Sequence, residues 1–565
     1  MPVAIKRFIL PALLLFGIGI LAGARVGDLL KGPDSLEQLR KLEDAYVLID
    51  KSYVEEVPSE RLVSKAIEAM LKELDPHSSY IPKELVPRVQ EGYQGSFGGI
   101  GIWFESPPED TARVTSIIPD GPGEAVGLMP GDRIVAVNDS SVIGLISTGI
   151  QDLIRGPIGS PVTLTILRRG NVTPMDVVIT RGRIPLFSID GSYMMDAETG
   201  YVRIGRFAMT THQEFLEHMN RLKAQGMKRL VLDLRDNPGG IKQTAVQVAD
   251  ELLGPGRTVV FTKSRNVAEE ETDLTTPGGS FETGPVIVLV NENTASGSEI
   301  ISGAVQDHDR ALILGRRTFG KGLVQRPYQL RDGSILQLTV SRYYMPSGRL
   351  IQTPYENGDM EDYYRSKFDD LNNATFHPSE YLQDVPDSLR FKTANGRMVF
   401  GGGGVMPDVV VAPDSTAPMN SRLMRTLIAR GVDVLFARQW FLDHEDAMRA
   451  TWTEDKRNAF VAGFQVDDAF MKGFWEHAAK EKVVLADVAG PDSSAIFAFA
   501  DAQTIDPVLR TVLKARVGQR LFRSEVWFPI FNPIDPLINA ALQHWKDAEE
   551  LDRLSRSVPA ATGQR

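Results

Sequence analysis

Apolar positions change their spacing several times along the chain, and each spacing predicts a different kind of structure. Between residues 34 and 90, apolar side chains recur every three or four positions, which is the period of an amphipathic helix. The pattern comprises Leu36, Leu39, Leu42, Tyr46, Ile49, Val63, Ala66, Ile67, Met70, Leu71 and Leu74. It predicts a helical N-terminal region at residues 33–90, with a turn at residues 74–80.

Beyond Gly95 the helical period gives way to short runs of β-type residues. A glycine-rich loop at residues 95–104 leads into them. The runs occupy residues 112–118, 133–137, 162–168 and 175–180, with one helical stretch near 149–155. Many short strands with one or two helices are typical of a small β-rich domain, which we expect at residues 91–185.

Residues 186–415 alternate between strand and helix patterns. Strand patterns occupy residues 201–204, 230–234, 285–291 and 311–314, and helical patterns occupy residues 211–225, 241–253 and 298–307. This alternation predicts an α/β core, and residues 335–340 predict the second arm of a hairpin. An acidic, turn-rich stretch at residues 354–395 predicts an insertion that is either a lid or a surface loop.

The helical period returns in residues 416–565, which predict a helical C-terminal extension. Amphipathic spacing is found at residues 421–438, 453–464 and 535–554, and no motif there indicates chemistry. Such helices serve one of three roles: contact with a second copy of the chain, packing on the core, or binding an adaptor protein. The chain as a whole is therefore predicted to be a multidomain α+β protein.

The first residues predict an export element. Lys6 and Arg7 precede an uncharged apolar run at residues 8–24, which as a helix would be about 26 Å long, near the lower limit for crossing a bilayer. Positive charge on its N-terminal side predicts that the rest of the chain lies across the membrane. Residues 22–24 also fit a cleavage site, so residues 1–32 are either a cleaved signal peptide or a membrane anchor.

The composition of the chain argues against several classes of function. The 62 Lys and Arg residues against 73 Asp and Glu give a net charge of −11, which argues against a nucleic-acid binder with its basic footprint. The absence of cysteine excludes a cysteine nucleophile, thiolate zinc ligands and disulfides. The eight His residues form no HExxH cluster, which disfavours a zinc hydrolase.

A candidate nucleophile lies where the strand pattern of residues 285–291 turns into a helix. Residues 294–299, Thr-Ala-Ser-Gly-Ser-Glu, are mostly small. A helix N-terminus there supplies free amides and partial positive charge, which suit a developing oxyanion. A serine before a helix is usually only an N-cap, an interpretation that fits Ser298. Ser296 remains the candidate for chemistry.

A nucleophilic serine also needs a base, and no histidine is well placed in the sequence. A buried lysine with a lowered pKa can serve instead. Lys321 lies between two glycines and among apolar residues, although an exposed surface lysine is the alternative. Gln325 is on the same strand face as Lys321 by alternation and would orient its amine.

A third candidate is the turn at residues 232–240, Leu-Asp-Leu-Arg-Asp-Asn-Pro-Gly-Gly. A strand pattern ends there and two glycines open a helix. Bare amides at that point would bind an anion or complete an oxyanion hole. An ordinary strand-to-helix turn is the alternative.

Taken in order, seven motifs resemble those of the C-terminal processing peptidases, which are tail-specific serine–lysine proteases. The motifs are Leu-Asp-Pro-His-Ser-Ser-Tyr at 74–80, Phe-Gly-Gly-Ile-Gly-Ile at 97–102, Gly-Leu-Met-Pro-Gly-Asp-Arg-Ile at 127–134, Asp-Leu-Arg-Asp-Asn-Pro-Gly-Gly at 233–240, Thr-Ala-Ser-Gly-Ser-Glu-Ile at 294–300, Thr-Phe-Gly-Lys-Gly-Leu-Val-Gln at 318–325 and Tyr-Met-Pro-Ser-Gly-Arg at 344–349. The resemblance covers about residues 36–413.

The resemblance implies roles for the residues already singled out. It implies that Ser296 is the nucleophile, Lys321 the general base and Gln325 its support. The oxyanion donors would be amides near Gly239 and Gly240 and at Gly297, where the family often has alanine. Residues 91–185 would be a PDZ domain whose loop at Gly99, Ile100, Gly101 and Ile102 binds a terminal carboxylate, and residues 186–415 would take the family's ClpP/crotonase-like fold.

The implied activity is that of an endopeptidase that recognises exposed apolar C-terminal tails of exported proteins and uses no metal or cofactor. Its expected location is the bacterial periplasm or cell envelope. A second reading is a catalytically idle PDZ scaffold or holdase that binds such tails. The intact serine, lysine and glutamine disfavour this reading, because an idle descendant usually loses one of them.

Overall fold

The computed structural model of the protein describes residues 33–106, 111–355, 360–414, 416–491 and 493–557. The predicted export segment, residues 1–32, lies outside them. No helix within the described ranges is both long and apolar enough to cross a membrane. The chain divides after Leu74 into two compact units.

The described part of the first unit is two helices, α1 (Pro33–Ser52) and α2 (Ser59–Lys72), as the apolar spacing predicts. Glu60 in the first turn of α2 and Lys72 in its last turn complement the helix dipole. The second unit opens with a short strand, β1 (Ser79–Ile81), and helix α3 (Val86–Gln94). The N-terminal region is therefore helical as predicted, except that β1 lies at the end of the predicted turn and pairs with a strand far along the chain.

The predicted β-rich domain is present. Its elements are β2 (Ser96–Gly99), β3 (Ile102–Glu105), β4 (Ala112–Ile117), α4 (Pro122–Ala125), β5 (Arg133–Val137), β6 (Ser140–Ser141), α5 (Ser147–Ile154), β7 (Pro161–Leu167), β8 (Met175–Thr180) and β9 (Gly182–Pro185). One sheet has the order β3-β4-β5-β7-β8, with β6 beside β5. Alternate residues Val162, Leu164 and Ile166 of β7 point into its core. Strand β3 lies at one edge of this sheet.

The α/β region contains the core of the fold. Its elements are β10 (Ile189–Met194), β11 (Thr199–Ile204), α6 (Thr211–Ala224), β12 (Arg229–Asp233), α7 (Lys242–Asp250), β13 (Thr258–Ser264), β14 (Thr272–Leu274), β15 (Val286–Val290), α8 (Gly297–Asp307), β16 (Leu312–Gly315), β17 (Leu323–Gln329) and β18 (Ile335–Tyr344). Strands β11, β12, β15 and β16 are parallel and adjacent. The predicted hairpin is formed by β17 and β18, and β1 pairs with β18 on its other side.

The described residues of the insertion, 354–355 and 360–395, are mainly helical rather than turn-rich. It contains α9 (Met360–Phe376) and α10 (Pro378–Asp384), followed by a two-stranded pair, β19 (Arg390–Lys392) and β20 (Met398–Phe400). Acidic and polar residues break the apolar period there, so the pattern hides the helices. The buried Arg317 joins α9 to the core through an ion pair with Asp370 at 2.5 Å.

The C-terminal extension completes the core. Strand β21 (Val409–Val410) leads to α11 (Arg422–Ala429), α12 (Val432–Thr451), α13 (Arg457–Gly463), α14 (Asp468–Lys480), β22 (Val484–Ala486), β23 (Ile496–Ala498), α15 (Phe499–Phe522), α16 (Trp527–Phe531), α17 (Pro536–Gln543) and α18 (Trp545–Ser557). Helices α11 to α15 share a core of their own. Helices α17 and α18 instead pack Ile538 and Trp545 against the parallel sheet.

Every residue of β15 is buried, because both faces of the parallel sheet are covered. Val286, Val288 and Val290 face helices α6 to α8, whereas Ile287 and Leu289 face the last two helices of the extension. Of the three roles open to the extension, packing on the core is therefore confirmed.

Candidate active site

The predicted site residues lie at one edge of the parallel sheet. Strands β12, β15 and β16 are adjacent in the sheet and end at Asp233, Val290 and Gly315. Neighbouring parallel strands end at the same edge, so the segments that follow them leave the sheet together. This arrangement brings together three of the motifs found in the sequence.

Ser296 joins the loop after β15 to helix α8. Its φ of 54° and ψ of −115° are unusual for a residue with a side chain, and such strain is found at functional sites. The Ala295 amide donates to the Asn237 carbonyl at 2.9 Å, and Ser298 Oγ donates to the same carbonyl at 3.1 Å. Helix α8 begins at Gly297, so Ser296 occupies the N-cap position that the sequence assigned to Ser298.

A buried carboxylate fastens the Ser296 segment to the Lys321 segment. Oε1 of Glu299 accepts from Thr318 Oγ1 at 2.5 Å and from the Gly320 amide at 2.7 Å. Oε2 accepts from the Ser296 amide at 2.8 Å and from the Lys321 amide at 2.9 Å. Burial raises the pKa of Glu299, although these donors act to lower it. Since one oxygen binds both amides, the main chains of Ser296 and Lys321 lie side by side.

Tyr343 on β18 makes a second bridge between the same two segments. Its hydroxyl shares its one proton between the Ser296 carbonyl, at 3.2 Å, and the Lys321 carbonyl. Burial, together with the charge of Glu299, raises the pKa of Tyr343 well above its usual value, so the hydroxyl keeps its proton. Sequence reasoning missed both bridging residues. Glu299 carries a local signal, the Ser-x-x-Glu spacing of a capping box, whereas Tyr343 carries none.

The Lys321 side chain is partly buried rather than exposed, which disfavours the surface-lysine alternative. Its Nζ donates to Gln325 Oε1 at 2.9 Å, and Gln325 Nε2 donates to the carbonyl of His77. Burial lowers the pKa of Lys321 below its usual value, although the carboxylates of Glu299 and Asp75 act to raise it. The structure thus brings Gln325 to Lys321, as the alternation on the strand predicts.

The glycines after β12 lie directly against Ser296. Gly239 has a φ of 93°, and a Cβ built on it would be 2.7 Å from Ser296 Cβ and 2.8 Å from the Gly297 nitrogen. Any side chain at Gly239 would therefore displace Ser296. The Gly239 amide donates to Asn237 Oδ1 at 2.9 Å, and Gly240 follows with its main chain beside Phe207.

Residues of the insertion cover the segment that precedes Lys321. The Phe319 ring lies under the ammonium of Lys367, whose Nζ is 2.5 Å from the ring centroid. Burial lowers the pKa of Lys367 to about 7, against the influence of Glu299. The His77 ring packs edge-on against Phe319 at 6.1 Å and against Tyr363 at 5.8 Å between centroids. The insertion therefore packs against the segment that precedes Lys321.

The predicted carboxylate-binding loop connects β2 to the edge strand β3. The Ile100 carbonyl accepts from the Gly123 amide at 2.7 Å, and the Gly101 carbonyl accepts from the Ile118 amide at 2.9 Å. A trans peptide places its C=O and N–H on opposite sides, so the amides of Gly101 and Ile102 point away from these bonds. Gly99 ends β2, where it pairs with Gly182.

Three family models match the chain. Residues 198–361 match peptidase family S41, residues 113–168 match the PDZ domain, and residues 27–85 match the activating protease CtpB N-terminal domain. The chain is 35% identical over 323 residues to the carboxy-terminal-processing protease of Bartonella bacilliformis, an alignment covering 56% of this chain and 74% of that relative. It is 34% identical over 352 residues to a probable CtpA-like serine protease of Staphylococcus epidermidis, covering 61% and 70%.

Among solved structures, the photosystem II D1 C-terminal processing protease aligns at 28% identity with a TM-score of 0.31, covering 56% of this chain and 90% of that one. The PDZ domain of the carboxy-terminal protease from Vibrio cholerae aligns at 32% identity with a TM-score of 0.15, covering 16% and 99%. The long alignments to curated relatives carry the assignment. The chain therefore belongs to peptidase family S41, as a serine-type peptidase of the carboxy-terminal-processing kind that carries a PDZ domain.

Proposed function

We propose that the protein is a serine endopeptidase that acts through a Ser296–Lys321 dyad supported by Gln325. The observation that carries the proposal is the shared anchoring of the two residues. Their amides bind the same oxygen of Glu299, and their carbonyls accept from the same hydroxyl of Tyr343. A lysine held beside a strained serine, with its pKa lowered by burial, has the properties of a general base.

In the acylation step, the neutral amine of Lys321 takes the proton of Ser296 Oγ as that oxygen attacks the scissile carbonyl carbon. The tetrahedral intermediate then loses its C–N bond. The Lys321 ammonium gives its proton to the departing nitrogen, which leaves as an amine, and Ser296 is left as an ester. Gln325 holds Lys321 Nζ through one N–H, so the nitrogen lone pair is available for the serine proton.

Deacylation repeats these steps with water as the nucleophile. Lys321 removes a proton from water as the water oxygen attacks the ester carbon. The bond to Ser296 Oγ breaks, and Oγ recovers its proton from Lys321. The product carboxylic acid leaves and ionises in solvent.

The intermediate needs donors for its oxyanion, and the helix N-terminus provides them. Gly297 is the first residue of α8, so its amide has no partner within the helix. The Gly239 amide is engaged by Asn237, which favours Gly240 over Gly239 as the second donor. The helix dipole adds to the stabilisation of negative charge at this position.

We further propose that the PDZ domain selects substrates by their C-termini. The amides of Gly101 and Ile102 would bind the terminal carboxylate, and the tail would pair with the edge of β3 as an added strand. The substrates would be exported proteins with exposed apolar tails, cleaved in the periplasm or cell envelope.

The test of the dyad incubates the full chain with an unstructured protein that ends in small apolar residues, with and without EDTA. Cleavage unaffected by EDTA is expected. A fluorophosphonate, which reacts with activated serines, is expected to stop cleavage and to label Ser296 in a peptide map. Labelling of another serine would contradict the assignment, and tail binding with neither cleavage nor labelling would favour the scaffold.

The tail-recognition proposal predicts a preference for a free carboxylate. A peptide ending in a carboxylate is expected to bind about 10- to 100-fold more tightly than the same peptide ending in an amide, because the amide removes the charge from two hydrogen bonds. Fluorescence anisotropy with the Ser296→Ala chain measures both affinities without cleavage. Equal affinities would show that the loop at residues 99–102 does not recognise the terminal carboxylate.

A further inference from the structure

The turn at residues 75–78 lies directly behind the Lys321–Gln325 pair. Asp75 is buried and forms the turn with its own carboxylate. Oδ1 accepts from the amides of His77 and Ser78, both at 2.8 Å, and Oδ2 accepts from Ser78 Oγ at 2.6 Å. Both oxygens of Asp75 accept hydrogen bonds within the turn, so these contacts define the path of the main chain.

We infer that Asp75 is a positioning residue for the proposed base: it shapes the turn whose His77 carbonyl fixes Gln325, and Gln325 fixes the Lys321 amine. This inference rests on the proposed function, because it assigns a role toward the dyad.

The orientation of the Gln325 amide links the turn to Lys321. A glutamine side chain has one end that donates and one that accepts. The His77 carbonyl only accepts, so it binds the Nε2 end of Gln325. Oε1 must then face Lys321 Nζ, which donates to it at 2.9 Å. If the His77 carbonyl moved, Gln325 Nε2 would lose its acceptor. Gln325 would then no longer hold the Lys321 amine in a fixed direction.

The turn at residues 75–78 is attached to strand β18. Ser78 Oγ, held by Asp75, accepts from the Thr339 amide at 3.1 Å, and Ser79 pairs with Gln337 in β18. Across β18, Thr339 is also the register partner of Gln325. The turn and Gln325 are therefore both attached to β18, which fixes the distance between them.

The charge of Asp75 also acts on the Lys321 amine. The groups that act on Lys321 are the carboxylates of Glu299 and Asp75, which raise its pKa against the effect of burial. His77 carries no charge near neutral pH, since burial, followed by the charge of Lys321, lowers its pKa to about 4. Lys367 acts on His77 from the insertion, and Tyr343 stays neutral. Removing the charge of Asp75 must therefore lower the pKa of Lys321 further.

The base works in its neutral form, so the acid limb of the kcat/KM profile follows the pKa of Lys321. Asp75→Asn keeps an oxygen for the two amides but removes the charge. We expect this variant to move the acid limb to lower pH by about half a unit to one unit and to lower kcat about ten-fold with KM unchanged. Asp75→Ala, which also removes the turn, is expected to lower kcat about 100-fold.

Asp196 provides a matched control. Its Oδ1 accepts from the amides of Glu198 and Thr199 at 2.8 Å each, and its Oδ2 accepts from Thr199 Oγ1 at 2.8 Å, as in the Asp75 turn. Oδ2 also accepts from Arg229 at 3.3 Å. It precedes β11 and so lies at the opposite edge of the sheet from the site. Asp196→Asn is expected to leave the profile unmoved.

An unmoved acid limb in Asp75→Asn, or an equal loss in Asp196→Asn, would overturn the inference. If Ser296→Ala keeps full activity, the proposed function fails instead, so the two failures are distinguishable. Thermal unfolding of each variant identifies misfolded protein, and Asp75→Asn, which is isosteric, carries the test if Asp75→Ala does not fold.

Discussion

Replacing Ser296 or Lys321 with alanine is expected to lower kcat/KM by about 10⁴-fold, and replacing both is expected to cost no more than replacing either. The serine is the nucleophile and the lysine removes its proton, so neither residue works without the other. The assay uses a fluorogenic peptide that spans a cleavage site mapped by mass spectrometry. Losses that add in the double variant would contradict a dyad.

Two further variants separate the base from the surrounding structure. Lys321→Arg keeps a cation in place, but a guanidinium does not give up its proton, so we expect it to be as inactive as Lys321→Ala. Ser302→Ala removes a hydroxyl one turn into α8, where Oγ donates to the Ser298 carbonyl at 3.0 Å, and is expected to keep the parent activity. An active Lys321→Arg variant would exclude Lys321 as the base.

The pH profile gives an independent check on the same residue. Burial lowers the pKa of Lys321 from the ordinary lysine value of 10.5, while Glu299 and Asp75 oppose the change. Because the base must be neutral, kcat/KM is expected to rise with pH through this lowered pKa, and the rise is expected below 10.5. A rise centred at the ordinary value would mean that the amine is not buried in the working enzyme.

Most helices and strands of the core were predictable from the sequence, because the residue patterns that indicate them are local. The β15 strand and the α8 helix each follow from a few consecutive residues, and the predicted and observed bounds differ by at most one residue at each end. Strand β1 was not predictable, since three residues carry no period and their partner lies in β18. The helices of the insertion were not predicted, because polar residues break their apolar period. One of them, α9, contacts Phe319 beside the site through Lys367.

For the site, the sequence offered residue types and spacing but no distances. The sequence indicated Ser296 by its run of small residues and Lys321 by its flanking glycines. It indicated Gln325 by its alternation with Lys321 along a strand. The residues that join them could not, because Tyr343 reaches the site from another sheet and Asp75 acts through a main-chain carbonyl. The covering of the parallel sheet by α17 and α18 is likewise a tertiary contact without a motif.

The second large effect is expected on replacing Glu299, a buried carboxylate that accepts hydrogen bonds from four donors. Its two oxygens each accept two hydrogen bonds. In Glu299→Gln, either orientation of the amide turns an NH₂ group toward two donors and leaves them unsatisfied. Each such loss costs about 1–3 kcal/mol, so we expect the unfolding transition of the protease core to fall by about 5–10 °C.

Activity is expected to fall with it, by about 100-fold, because the same carboxylate sets the distance between Ser296 and Lys321. Calorimetry and the peptide assay measure the two effects on one preparation. Glu282→Gln is the matched control: its Oε1 accepts from the amides of Gly278 at 3.0 Å and Gly279 at 2.6 Å, but the side chain is partly exposed, so water replaces what the amide cannot accept. A Glu299→Gln variant with parent stability and activity would show that the two segments keep their positions without the carboxylate, and the geometric basis of the proposed dyad would then fail.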